Sequence, residues 1–83
     1  MTWYVYMARC ADGSIYCGIS NDVDARIKTH NDGKGAKYTR ARLPIKLVWK
    51  EAQQDKIAAM QREYEIKNIH RNRKLEMIND YQN

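Results

Sequence analysis

WYVYMARCADGSIYCGIS, residues 3–20, sets two runs of β-branched and aromatic residues around an Asp12-Gly13 pair. Such runs on either side of a glycine-containing turn read as a β-hairpin, and its register decides the fold. A two-residue loop at Asp12-Gly13 would put the tyrosines of one strand on the same face as the aliphatic residues of the other. A three-residue loop, Ala11-Asp12-Gly13 with Gly13 left-handed as a bulge, sorts the side chains instead. Trp3, Val5, Met7, Ile15, Cys17 and Ile19 then share one face, and Tyr4, Tyr6, Ala8, Ser14, Tyr16 and Gly18 share the other, with Tyr6 opposite Gly18. A slip of one residue would turn an apolar set toward water, so burial of the first face selects this register.

Working outward, Ser20 or Asn21 caps a helix running to about Asn31, with Asp22 and Asp24 in the first turn and Gly33 just beyond the end. Val23 and Ile27 form its buried stripe; Arg26 and His30, also one turn apart, form a neighbouring one. Residues 33–44 read as a loop, IKLVW (45–49) as a third strand, and Asp55 as the cap of a helix reaching about His70. Asn72 then caps a short last helix, KLEMI, before a fraying tail. The order β-β-α-β-α-α gives an α/β protein of the α+β kind, a three-stranded, mostly antiparallel sheet flanked by helices. With 83 residues and no linker or repeat, residues 1–83 make one domain.

Charge narrows the partners. Fifteen Lys and Arg against ten Asp and Glu leave a net +5, which favours polyanions. Residues 33–50 hold six of the cations (Lys34, Lys37, Arg40, Arg42, Lys46, Lys50) and no acid, interleaved with glycine, tyrosine and threonine, which points to nucleic acid. Arg62, Arg71, Arg73 and Lys74 read as a solvated face of the C-terminal helices. Cys10 and Cys17 lack metal-ligand spacing and come without a secretory signal or a long apolar run. A disulfide scaffold, a zinc site and a membrane span are therefore not expected, and a reducing cytoplasm is.

These residues resemble the GIY-YIG nucleases, in their small stand-alone branch. The first signature stands as Tyr4-Val5-Tyr6 and the second as Tyr16-Cys17-Gly18; Arg26 and His30 fall where that family has an arginine and a histidine on its first helix, and Glu63 matches its metal-binding glutamate. The stretch THNDGKGAKYTRARLP, residues 29–44, is typical of that branch. Leu75 departs from the pattern, standing where many members carry asparagine.

The resemblance implies hydrolysis of a phosphodiester with one Mg²⁺ or Mn²⁺ held by Glu63. Attack on phosphorus builds negative charge on the equatorial and leaving oxygens, so positioned positive groups matter more than covalent help. Arg26 would clamp the phosphoryl oxygens as a planar, permanent cation, while the metal stabilises the 3′ leaving oxygen. Tyr16 would take the proton of the attacking water, Tyr6 would orient the water or the phosphate, His30 would pass the proton onward, and Gly18 would be structural in the site. From the residues alone, Arg26 also has Asp22, and Glu63 also has Lys67, at helical ion-pair spacing. Lys34, Lys37, Arg40 and Arg42 would contact phosphates, and Tyr38 would stack on an unpaired base. No element has the character of a major-groove recognition helix, so single-stranded or branched DNA is the expected substrate. The other reading is a non-catalytic nucleic-acid-binding module, or a subunit of a repair complex with a protein partner.

Overall fold

In the computed structural model, which describes residues 2–82, the hairpin has the register its side chains demand. β1 (Trp3–Arg9) and β2 (Ile15–Ser20) pair antiparallel with Tyr6 opposite Gly18 and Met7 opposite Cys17. Gly13 closes the turn at φ +86°, a left-handed conformation that glycine adopts without a steric penalty. Asp12 braces the same turn by accepting from the Ser14 amide at 3.0 Å and its hydroxyl at 2.6 Å.

β3 (Lys46–Gln53) joins the other edge of β1, so the sheet order is β2-β1-β3 and every pairing is antiparallel. The strand runs past the apolar IKLVW segment because Lys50 to Gln53 pair with Tyr6 to Trp3, which only the assembled sheet supplies. A register shift at Met7/Ala8 takes up one extra β3 residue.

The helices cover both faces. α3 (Lys56–Lys67) and α4 (Arg71–Gln82) bring Ala59, Ile66 and Ile78 against Val5, Met7, Cys17 and Trp49. Each fully buried aliphatic side chain there contributes about 1.5–3 kcal/mol. On the opposite face, α1 (Val23–Asn31) lays Ile27 beside Tyr16 against a smaller cluster of Ala8, Cys10 and Ile45. β1 is thus central and sandwiched: Val5, Tyr6, Met7 and Ala8 are all 1% exposed or less, where strand alternation alone leaves one face open.

Three sequence expectations shift. Asp22 caps α1, its carboxylate accepting from Ala25 N at 3.1 Å, while Ser20 Oγ accepts from Asp22 N one step earlier. The 33–44 loop contains a single helical turn, α2 (Lys37–Arg40), too short to leave a periodic signature. The last helix starts before Asn72 and runs to Gln82; His70 Nδ1 accepts from Asn72 N at 3.1 Å, so the imidazole serves its first turn. Asp55 caps α3 as expected, accepting from Ala58 N at 2.8 Å. Among the described residues, no helix is long and apolar enough to cross a membrane, and Cys10 and Cys17 are free thiols.

Candidate active site

The tyrosine face of the hairpin lies under α1 and α2. Tyr6 and Tyr16 have ring centroids 6.3 Å apart, and the His30 ring lies 6.4 Å from the first and 5.2 Å from the second. Gly18 makes this approach possible, because a Cβ there would stand 2.7 Å from the Tyr6 hydroxyl and 3.1 Å from the Tyr16 ring.

His30 is fully buried and hydrogen-bonded at both nitrogens. Nε2 lies 2.9 Å from the Tyr6 oxygen, and Nδ1 lies 2.8 Å from the Thr39 hydroxyl of α2. The Ala36 amide also donates to Nδ1, at 3.3 Å. The Thr39 hydroxyl donates its one proton to the Ala36 carbonyl, at 2.8 Å, so a chain of short hydrogen bonds runs from Ala36 through Thr39 and His30 to Tyr6. Burial first, and the Arg26 charge second, hold the His30 pKa below its ordinary value, which keeps the ring neutral.

A buried ring hydrogen-bonded at both nitrogens holds the phenol oxygen in place. The Arg26 charge acts on the same phenol. Burial, followed by the neighbouring Tyr16, raises the Tyr6 pKa well above its ordinary value, against the pull of Arg26. The Arg26–Asp22 pair that helical spacing allows is not among the ion pairs of the described residues.

Gly35, which the sequence marked only as loop, packs directly on this knot: a Cβ there would collide with His30 Nδ1. Asn31 fixes the end of α1 by donating to Ile45 O at 3.1 Å and accepting from Ile45 N at 2.7 Å.

Glu63 belongs to α3, on the other face of the sheet, and its charge is felt by Tyr16 of the edge strand β2. Tyr16 is raised by burial; Lys67 and Arg26 pull it down, and Glu63 pushes it up. Burial, with Glu63 next, pushes the Cys17 thiol to about 11, so it is inert at neutral pH. Glu63 pairs with Lys67 at 3.4 Å, and among the described residues no group of three or more His, Cys, Asp or Glu gathers anywhere. A single partly exposed carboxylate does not suit zinc or calcium. It fits a Mg²⁺-like ion that retains its own waters and takes phosphate oxygens.

The basic segment divides. Lys34, Lys37 and Arg40 are exposed on and before α2. Arg42 is committed inward, bonding Asp12 at 3.0 Å and the Tyr38 carbonyl at 2.8 Å, with its guanidinium 3.9 Å over the Tyr38 ring. Tyr38 itself stacks on Tyr16, centroids 6.1 Å apart. Sequence reading missed Thr39, Gly35 and Lys74. Lys74 lines a groove with Ile15, Tyr16, Cys17, Tyr38 and Lys67, where a solvated face was expected. Leu75 turns elsewhere, into a separate cavity with Arg9 and Asn79.

The family model for the GIY-YIG catalytic domain matches residues 2–76. A UPF0213 protein of Staphylococcus haemolyticus is 53% identical over 77 residues, covering 93% of this chain and 94% of its own length. A UPF0213 protein of Staphylococcus aureus is 48% identical with the same coverage. The solution NMR structure of the UPF0213 protein BH0048 from Bacillus halodurans is 49% identical, covers 95% of this chain and 84% of its own, and superposes with a TM-score of 0.60.

Proposed function

This chain belongs to the GIY-YIG catalytic-domain family, and from that premise we propose that it is an endonuclease hydrolysing phosphodiester bonds in DNA, single-stranded or branched, with one Mg²⁺ or Mn²⁺ held at Glu63. The observation that supports the reading is that Tyr6 of β1, Tyr16 of β2 and His30 of α1 pack together, with the Arg26 charge acting on both phenols and the Glu63 carboxylate of α3 acting on Tyr16. Ordinary core packing would not bring a guanidinium and a carboxylate to two phenols.

Arg26 supplies permanent positive charge where the equatorial oxygens of the transferring phosphoryl group become more negative. Tyr6, its oxygen held by His30, orients the phosphate or the attacking water and fixes the line of attack. Tyr16, half-buried at the open side, accepts the water's proton as phenolate. The new O–P bond forms as the P–O3′ bond breaks, leaving a 5′-phosphate and a 3′-oxygen that takes a proton from solvent. A bound divalent ion supplies charge stabilisation for that leaving oxygen. Lys34, Lys37 and Arg40 hold the strand over α2, at the cytoplasmic ionic strength where such contacts remain effective.

The test is a panel of labelled single-stranded, duplex and forked DNA incubated with Mg²⁺ or Mn²⁺, with EDTA as control. Product on the single-stranded or forked substrates, abolished by EDTA, is the expected result. Absence of product on all of them, with binding intact, would leave a nucleic-acid-binding module, perforce acting with a partner.

A further inference from the structure

The groove beside the catalytic cluster has a volume of ≈ 330 Å³ and runs along the unpaired edge of β2. Ile15, Tyr16 and Cys17 are consecutive, so alternate faces of the strand contribute to it, and Lys67 and Lys74 close it from α3 and α4. Arg71 anchors the start of α4 by donating to Gly13 O at 3.1 Å, which sets Lys74, one turn on, beside the hairpin.

Lys74 is partly buried and has no carboxylate partner among the described residues. Arg42 and Arg62, buried to a similar degree, each hold a carboxylate, at 3.0 and 2.9 Å. Glu76 on α4 is paired with Arg73 at 3.1 Å. A groove-lining cation with no carboxylate partner is available to an arriving anion. Cys17 at the groove floor feels the Glu63 carboxylate as well as Lys67 and Lys74.

We propose that this groove is a backbone subsite for the nucleotide next to the scissile phosphate of a single strand, with Lys74 as its phosphate ligand and the Tyr16–Tyr38 pair as its wall. The proposal rests on the reading that the protein acts on nucleic acid. The volume lies at the small end of ligand sites, which suits one nucleotide and excludes a duplex. The Tyr38 ring is already engaged by Arg42 and Tyr16, so the wall meets sugar and phosphate and reads no base. A strand gripped on one side by Lys34, Lys37 and Arg40 and on the other by Lys74 is drawn across the phenols between them.

The experiment is fluorescence anisotropy of a fluorescein-labelled single-stranded oligonucleotide in EDTA, at a series of salt concentrations. Lys74→Ala should weaken binding about 3- to 10-fold at low salt and lower the slope of log K against log salt by about 0.7, the value of one phosphate contact on a single strand. Lys74→Arg should retain both, and Lys56→Ala, exposed at the start of α3 and outside the groove, should match wild type. The alanine keeps the helix, being the best helix former, and circular dichroism verifies it. An unchanged slope in Lys74→Ala overturns the subsite even if the wild type cuts DNA, in which case the nuclease reading stands. A reduced slope in a protein that cuts nothing keeps the subsite and removes the nuclease reading. A wild type that binds no strand removes both.

Discussion

On the α1–α2 side of the β2 edge, Tyr6, His30 and Thr39 are 1%, 0% and 0% exposed and satisfy one another's polar atoms. On the α3–α4 side, the Glu63 and Lys67 side chains are 23% and 52% exposed in a long ion pair, and Lys74 has no carboxylate partner among the described residues. The two sides do different work. The first is completed by folding and holds a phenol in a fixed place; the second is left with uncompensated charge for a cation and a strand to complete. Preorganised groups need no reordering as the reaction proceeds, whereas groups that bind and release must remain accessible.

The largest effect that would break this contrast concerns Glu63. Glu63→Ala should lower cleavage by about 100-fold or more, measured on labelled DNA with Mg²⁺, while the thermal midpoint moves by less than about 4 °C, because an exposed helical ion pair contributes about 0.5 kcal/mol or less. A large loss of stability would mean that the open side is structural after all.

Gly35→Ala sharpens the contrast from the other side. Its new Cβ meets His30 Nδ1, which has no room to retreat, so urea unfolding should report a loss of about 1–3 kcal/mol together with lost cleavage. Stability within about 0.5 kcal/mol of wild type would show the knot to be loose.

The pH dependence follows from Tyr16. Burial holds its phenol above the ordinary value, so the phenolate is the minor form at neutral pH and grows tenfold per pH unit. Single-turnover cleavage should therefore rise about tenfold per unit through the neutral range, and Tyr16→Phe should flatten the profile as well as lower it. A profile that is flat in wild type would assign the proton to another group.

The smallest effect is on stability in acid. The folded pKa of His30 is depressed below its unfolded value of 6.5, so the unfolded chain binds more protons as pH falls through and below that value. His30's contribution is fully present above about pH 6.5 and declines toward its folded pKa, with a slope of at most about 1.4 kcal/mol per unit. Urea titrations at several pH values measure this, and imidazole ¹⁵N shifts of His30 locate its ring proton: on Nδ1 it leaves Nε2 to accept from Tyr6, as a relay requires, whereas on Nε2 it removes the relay.

Much of the fold was readable because the hairpin is a local structure with one face to bury. The apolar face, the bulged turn at Gly13 and the register of Tyr6 on Gly18 all follow from alternation and turn chemistry. The Asp55 cap and the element order were equally local. What was not legible depended on distant partners. The extra length of β3 exists because β1 offers it pairing, and α2 is one turn whose value lies in presenting Thr39 to a histidine nine residues earlier.

The candidate site divides in the same way. Short-range periodicity puts Tyr6 and Tyr16 on one face of the hairpin and Arg26 and His30 one turn apart, and the resemblance to the GIY-YIG signatures is what singled out Glu63. Sequence alone could not tell that Glu63 sits on a helix across the sheet from those tyrosines and acts on Tyr16 from there. Nor could it tell that His30 is sealed between Tyr6 and Thr39, or that Lys74 lines a groove. Those facts depend on which buried polar groups find partners and which charges do not, and partners far apart in the chain are chosen by the packed structure.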